Sequence, residues 1–382
     1  MSRARQWWPQ LPDSVDAHRL PSNRRILIVS DAWRPQVNGV VRTLHTLVHE
    51  LRQLGYTAEV IGPDRFRTVP CPTYPDIRLS LLPRRRLVRM VEAFRPDALH
   101  IATEGPLGLA AQALARRRGW SFTTAFHTRF PEYVHARTRL PPGISYALMR
   151  RFHGRAAGVM VATQSLRQEL DRRGFSNLRS WSRGVDLDLF RPLPRDEWAG
   201  LPGPIFLYVG RVAVEKNITA FLDLDLPGSK VVVGDGPQLA ALKRLYPAVH
   251  FAGVRHGEAL ARAYAGGDVF VFPSLTDTFG LVMLESLACG TPVAAFPVTG
   301  PLDVVEPGGP AIGAVGPDLR TATLAALEHG RREACRAYAE NFSWRACAEL
   351  FLSHLVPVGG AMPEPVSGEG RPGALPLDPT KG

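Results

Sequence analysis

At 382 residues with 45% hydrophobic side chains, the chain is longer than one core ordinarily holds and apolar enough for two, so two domains are expected. No stretch approaches the roughly 20 apolar residues of a membrane span, and the opening MSRARQWWPQLPDSV lacks the apolar centre of a secretory signal, so a cytoplasmic location is expected. The net charge of +11 is unevenly placed: residues 1–190 hold 30 arginines, no lysine and 15 acidic side chains, while residues 191–382 hold 16 basic against 20 acidic ones, which predicts an anionic partner for the first half.

Residues 1–23 mix Pro, Trp and Arg without periodicity and read as a loose arm. Arg24–Ser30 (RRILIVS) reads as a strand, and Asn38-Gly39 turns into a helix with Val40, Leu44, Leu47, Val48 and Leu51 at helical spacing. That loop ends at a helix N-terminus, whose unpaired amides suit an anion. His45 and His49 stand four apart as in a zinc motif, but no glutamate lies between them; Cys71, Cys289, Cys335 and Cys347 fall in no ligand spacing either. No metal is expected.

Residues 80–94 (SLLPRRRLVRMVEAF) set Arg84, Arg85, Arg86 and Arg89 beside Leu81, Leu82, Leu87, Val88, Val91 and Phe94. Such a helix either lies on an anionic membrane surface or packs on its own sheet with a wet basic face, and the pattern leaves both open. Arg116-Arg117-Arg118 ends another helix, where cations also stabilise the macrodipole. Strands are predicted at 58–62, 98–102, 121–126 and 158–163 with helices between them, the alternation of a doubly wound parallel sheet. Ligands bind beyond the carboxyl ends of such strands, and His127 sits at one of them.

Trp181–Pro192 (WSRGVDLDLFRP) is a polar, glycine-containing connector and the predicted domain boundary. Beyond it, strands are predicted at 205–210, 230–234, 250–253, 268–273 and 292–296. Arg211 and Lys216 emerge where the first of these ends, and Gly234 where the second does. The apolar run DVFVFP, residues 268–273, leads through Asp277, Phe279 and Gly280 into a helix carrying Leu281, Leu284, Leu287 and Ala288. Its glycine-preceded start suits a phosphate, whereas Glu285, more than a turn inside, suits a vicinal diol such as a ribose. Residues 318–356 read as helical, and 12 of the 26 residues from Pro357 on are Pro or Gly, which predicts a disordered tail.

Three motifs carry a family resemblance: Asp277 and Glu285 with seven residues between them, Gly210-Arg211 and Lys216-Asn217 with four residues between them, and Trp181-x-Arg183-Gly184-Val185-Asp186. The first resembles the acidic pair, usually Glu and Glu, of the family 4 retaining glycosyltransferases, with Asp in place of the first Glu. The last resembles the family's Asn-Gly-Val-Asp linker, with Arg183 for Asn, in the form of the branch with lipid glycosyltransferases and mannosyltransferases. The resemblance spans roughly residues 24–355 and implies an α/β chain of two facing Rossmann-like domains of GT-B type, with the donor in the cleft. An acceptor-binding domain would run 24–190 and a nucleotide-sugar-binding domain 191–356, its last helix crossing back, with residues 357–382 as tail. It implies that Arg211 and Lys216 hold the diphosphate and that His127 and Asp277 face the donor sugar. Glu285 would take the ribose, with Phe279, Gly280, Leu281, Gly39 and Gly234 completing the substrate site.

The implied reaction is hexosyl transfer from a nucleoside diphosphate sugar with retention, needing no cofactor and no metal. The expected acceptor is a membrane lipid such as diacylglycerol, which would place the protein peripherally on the inner face of the cytoplasmic membrane. A GDP-mannose-dependent alpha-mannosyltransferase with another acceptor is the alternative. From a different class stand a non-catalytic nucleic-acid binder, against which no stacking aromatics accompany the arginines, and a nucleotide-sugar binder without turnover.

Overall fold

The computed structural model describes residues 24–36, 38–71, 74–127, 139, 141–277 and 279–359. The segment read as a loose arm, and the tail from residue 360 on, lie outside the described residues. In chain order the strands are β1 (Arg25–Val29), β2 (Thr57–Ile61), β3 (Thr68–Cys71), β4 (Tyr74–Ser80), β5 (Ala98–Ile101), β6 (Thr123–Phe126), β7 (Gly158–Val161) and β8 (Leu178–Ser180). The second half adds β9 (Ile205–Val209), β10 (Ser229–Val233), β11 (His250–Gly253), β12 (Val269–Phe272), β13 (Val293–Ala295) and β14 (Gly313–Val315).

Two six-stranded sheets result, ordered β2-β1-β5-β6-β7-β8 and β11-β10-β9-β12-β13-β14. The strand pairs within them run parallel. Helices cover both faces of such sheets, which favours apolar strands. In β1, Ile26, Leu27, Ile28 and Val29 are all 0% exposed. Each sheet reverses direction beside its first strand, between β1 and β5 and between β9 and β12, and ligands of doubly wound sheets bind at such switch points.

The antiparallel hairpin β3-β4 and the edge strands β8 and β14 have no counterpart in the sequence pattern. β8 and β14 are three residues each, LRS and GAV, too short and too mixed to show a period. Their strand geometry comes from the ladders to β7 and β13.

The helix Arg84–Phe94 packs on its own sheet, with Leu87, Val91 and Phe94 buried in the first domain's core. Its apolar stripe is therefore spent on the fold. What remains outside is Arg84, Arg85, Arg86 and Arg89, together with Leu81 and a 95% exposed Leu82 held at φ +45°.

The helix Trp344–His354 is capped by Ser343, which accepts from the Ala346 amide, and it packs Cys347, Ala348, Leu350 and Phe351 against Ile26, Ile28, Leu44 and Leu47. The composition assigns Pro357–Gly359 to the tail, but Pro357 bridges to Ala98, the Val358 amide donates to the Asp97 carbonyl, and the Ser121 amide donates to the Val358 carbonyl. The chain thus stays tied to β5 up to there, since backbone pairing overrides a Pro/Gly-rich composition.

Candidate functional site

The loop after β9 is shaped by glycine and asparagine. Gly210 lies at φ +155°, and a Cβ on Gly234 would fall 1.9 Å from the Gly210 carbonyl oxygen, so β9 and β10 end in direct backbone contact. The Tyr208 hydroxyl donates to the Arg211 carbonyl at 2.8 Å and fixes the start of the loop. Val214–Lys216 then forms a single turn closed by Asn217 at φ +52°, a conformation asparagine tolerates better than most residues. The Asn217 amide reaches the Pro273 carbonyl at 3.1 Å and Thr276 reaches the Glu215 carbonyl at 3.3 Å, which ties this loop to the one after β12.

That tie brings two sequence-predicted residues together. Lys216 Nζ donates to both Asp277 carboxylate oxygens, at 2.6 and 2.8 Å. Both groups remain partly exposed, at 26% and 20%, so the pair sits at the rim of the β9/β12 switch point. Gly280 then caps the helix Leu281–Ala288 at φ +82°, where a Cβ would come 2.8 Å from Met283 Cε and 3.1 Å from the Phe272 ring. Phe279 is 4% exposed and acts as a packing residue beneath this start, with Leu281 as the first helical residue.

Glu285 is not the solvated helix carboxylate its spacing allows: it is 3% exposed. Its Oε2 accepts from the Tyr264 hydroxyl at 2.9 Å, and its Oε1 is paired with the guanidinium of Arg42. Arg42 belongs to the helix Gly39–Gln53, which follows β1, so this ion pair joins the switch points of the two sheets. The Glu285 charge pushes the Arg42 guanidinium above its ordinary range, against a smaller opposing effect of burial. Burial, reinforced by Glu285, pushes the Tyr264 phenol well up, so it stays a donor. A carboxylate offers about four lone-pair sites, and among the described residues Tyr264 and Arg42 fill two of them.

Gly39 opens its helix with open space around it, and the Asn38 side chain accepts from the amides of Val40 and Val41. Two of the amides expected to face an anion are therefore already capped, and the cation of this segment is Arg42. His127, at the end of β6, receives the guanidinium of Arg183 at 3.3 Å on Nδ1. Burial first, and Arg183 next, push the His127 imidazole well below its usual range, so it is neutral near pH 7.

Sequence reasoning did not single out Arg42, Tyr264 or a site role for Arg183. Arg42 left a signal, a cation one turn into a helix whose start had been assigned to a phosphate. Tyr264 left none, because its contact with Glu285 crosses from the helix Gly257–Ala265 to a different one. Among the described residues no cluster of three or more His, Cys, Asp or Glu side chains could hold a metal ion.

The description Glycosyltransferase Family 4 matches residues 37–189, and Glycosyl transferases group 1 matches residues 203–329. A GDP-mannose-dependent alpha-mannosyltransferase of Mycobacterium tuberculosis is 32% identical over 308 residues, 74% of this chain and 82% of the relative. Sulfoquinovosyl transferase SQD2 of Arabidopsis thaliana is 31% identical over 327 residues, 76% of this chain and 63% of the relative. Alpha-monoglucosyldiacylglycerol synthase of Streptococcus pneumoniae is 28% identical over 311 residues, 71% and 70% respectively. Among solved structures, sucrose-phosphate synthase from Thermosynechococcus elongatus matches with TM-score 0.68 at 22% identity, covering 85% of this chain and 96% of its own, which speaks to the fold.

Proposed function

Given that the chain belongs to the family 4 glycosyltransferases, we propose that it moves a hexosyl group, with retention, from a nucleoside diphosphate sugar to a hydroxyl of a membrane lipid. The observation that carries the placement of the donor is the buried Glu285, set between Tyr264 and the Arg42 of the opposite sheet. The ribose would donate to that carboxylate. The diphosphate would then lie toward Gly280, within reach of Arg211, Lys216 and Arg42.

Bond breaking puts negative charge on the leaving diphosphate. Fixed cations and helix amides stabilise that charge more as it grows, the largest contribution such a site can make. Asp277 shares its carboxylate with Lys216 and so aims the ammonium; this role fits its short side chain at least as well as direct contact with the sugar. His127 would donate to a donor sugar hydroxyl. A diphosphate oxygen on the same face would accept the acceptor's proton, which needs no side-chain nucleophile and leads to retention.

GDP-mannose is the donor favoured by the mannosyltransferase relatives, and a lipid acceptor by the glucosyldiacylglycerol synthase. The arginine face of Arg84–Phe94 with Leu81 and Leu82 beside it supports docking on anionic lipid, the leucines entering and the guanidiniums meeting headgroups. No described helix is long and apolar enough to cross a membrane. The test is to incubate the chain with UDP- and GDP-sugars and extracted lipids, and to identify products by mass. Transfer to soluble sugars alone, with no sedimentation on anionic vesicles, would sink the lipid acceptor.

A further inference from the structure

Arg183 stands where the family linker has asparagine, and it is an unusual place for a cation. Its side chain is buried, at 3% exposure, and its guanidinium carbon lies 4.1 Å over the Trp181 ring. Burial pulls its own proton affinity down to about 10, still leaving it charged at neutral pH. Nη1 donates to the carbonyls of Trp181 and Ser182, at 2.7 and 2.9 Å, which locks the fork. The connector beneath is pinned in turn: the Val185 amide donates to the Phe342 carbonyl, and a Cβ on Gly184 would fall 2.4 Å from the Trp344 nitrogen. With Nη1 and the backbone fixed, Nη2 is delivered to His127 Nδ1 at 3.3 Å.

A guanidinium has only donors, so the nitrogen it meets must offer a lone pair. In a neutral imidazole that places the proton on Nε2, the nitrogen on the other side of the ring. We propose that Arg183 is a positioning residue that holds His127 in its neutral Nε2–H tautomer, so that Nε2 and not Nδ1 is the ring's hydrogen-bond donor. The inference rests on the reading of His127 given above.

The surroundings work in the same direction. His100 from β5 and His153 from the helix Pro142–His153 both oppose a charge on His127. His153 is engaged by Thr124 at 2.9 Å and by Glu104 at 3.0 Å, and Cys347 faces Arg183 from the last helix. Trp181 meets the His127 ring edge-on, with centroids 5.8 Å apart, and limits its rotation. A protonated His127 would set two cations in contact in a desolvated place, so burial keeps the ring neutral, the positive neighbour adds to that, and the neighbour's contact selects the tautomer.

The wild-type chain labelled with 15N-histidine gives the first test, His127 being assigned by the signals missing from His127→Gln. The expected spectrum shows an unprotonated Nδ1 and a protonated Nε2, unchanged between pH 8 and 5.5. Arg183→Met is expected to mix the two neutral tautomers, burial still holding the ring uncharged, while Arg183→Lys, which keeps a charged donor, is expected to retain the wild-type pattern. A proton on Nδ1 in the wild type, or an unaltered His127 in Arg183→Met, overturns the inference.

The second test is a double-mutant cycle on transfer. Arg183→Met is expected to lower kcat by about 10- to 100-fold, as loss of an orienting partner does in other sites, with a smaller change in donor KM. Added to His127→Ala it is expected to cost nothing further, because a residue acting through another is silent once that other is gone. Fully additive losses would assign Arg183 a structural role and overturn the inference. Wild-type transfer by His127→Ala alongside the expected spectra would overturn instead the placement of His127 in the cleft, which keeps the two failures apart.

Discussion

Glu285→Gln is the sharpest perturbation of the cleft, because it changes charge and leaves volume alone. In the wild type the carboxylate holds Tyr264 on one oxygen and Arg42 on the other. In the variant the side-chain carbonyl can still accept from Tyr264, and Arg42, with 47% of its side chain exposed, can turn to water. The folded state should therefore lose no more than about 1 kcal/mol, a shift of roughly 2–4 °C in melting temperature for domains of this size. Binding suffers more. A hydrogen bond to a charged group is worth about 1.5–3 kcal/mol, and at about 1.4 kcal/mol per decade the loss of one ribose bond weakens nucleotide affinity roughly 10- to 150-fold. The assay is calorimetric titration of wild type and variant with GDP and UDP, beside a thermal melt. An unchanged affinity for the nucleotide the wild type binds, in a variant that melts normally, would refute the assignment of Glu285 to the ribose.

Lys216→Ala is expected to remove nearly all transfer while the chain stays folded, since the partly exposed Asp277 it leaves behind can be hydrated; wild-type turnover with any donor would remove Lys216 from the site. Gly234→Ala should cost more than about 2 kcal/mol, combining a left-handed-side backbone with a Cβ 1.9 Å from the Gly210 oxygen, and a melting temperature within about 2 °C of wild type, as an order-of-magnitude limit, would contradict that contact. Acid should destabilise the chain in a definite window. Burial lowers the His100 imidazole to about 3 from the ordinary 6.5, so between those values the unfolded chain binds a proton that the folded one refuses. The stability His100 contributes is complete above pH 6.5 and falls by about 1.4 kcal/mol per pH unit below it. A melt series from about pH 7.5 to about pH 5, spanning that window, with His100→Phe as the comparison, reads this as a shallower decline in the variant.

How legible each part was follows from the range of the interactions involved. Strands such as Ile205–Val209 and Val269–Phe272 announce themselves, because burial on both faces leaves them as near-continuous apolar runs. The start of the helix at Leu281 was readable for a local reason too: glycine precedes the turn. The strands β8 and β14 were not, since three mixed residues acquire strand geometry only from a neighbour's ladder. In the arginine-rich helix it was packing that showed Leu87, Val91 and Phe94 to face the core.

What the sequence alone determined is the set of segments with strong local preferences and the spacing of Arg211, Lys216, Asp277 and Glu285 along them, because periodicity and turn chemistry act over a few residues. What only the tertiary structure decided is which charges meet. Arg42 lies 243 residues from Glu285, and Arg183 lies 56 from His127. Their pairing depends on two separately wound sheets presenting their switch points to one another, and an electrostatic partner chosen by that approach leaves no periodic trace in the chain.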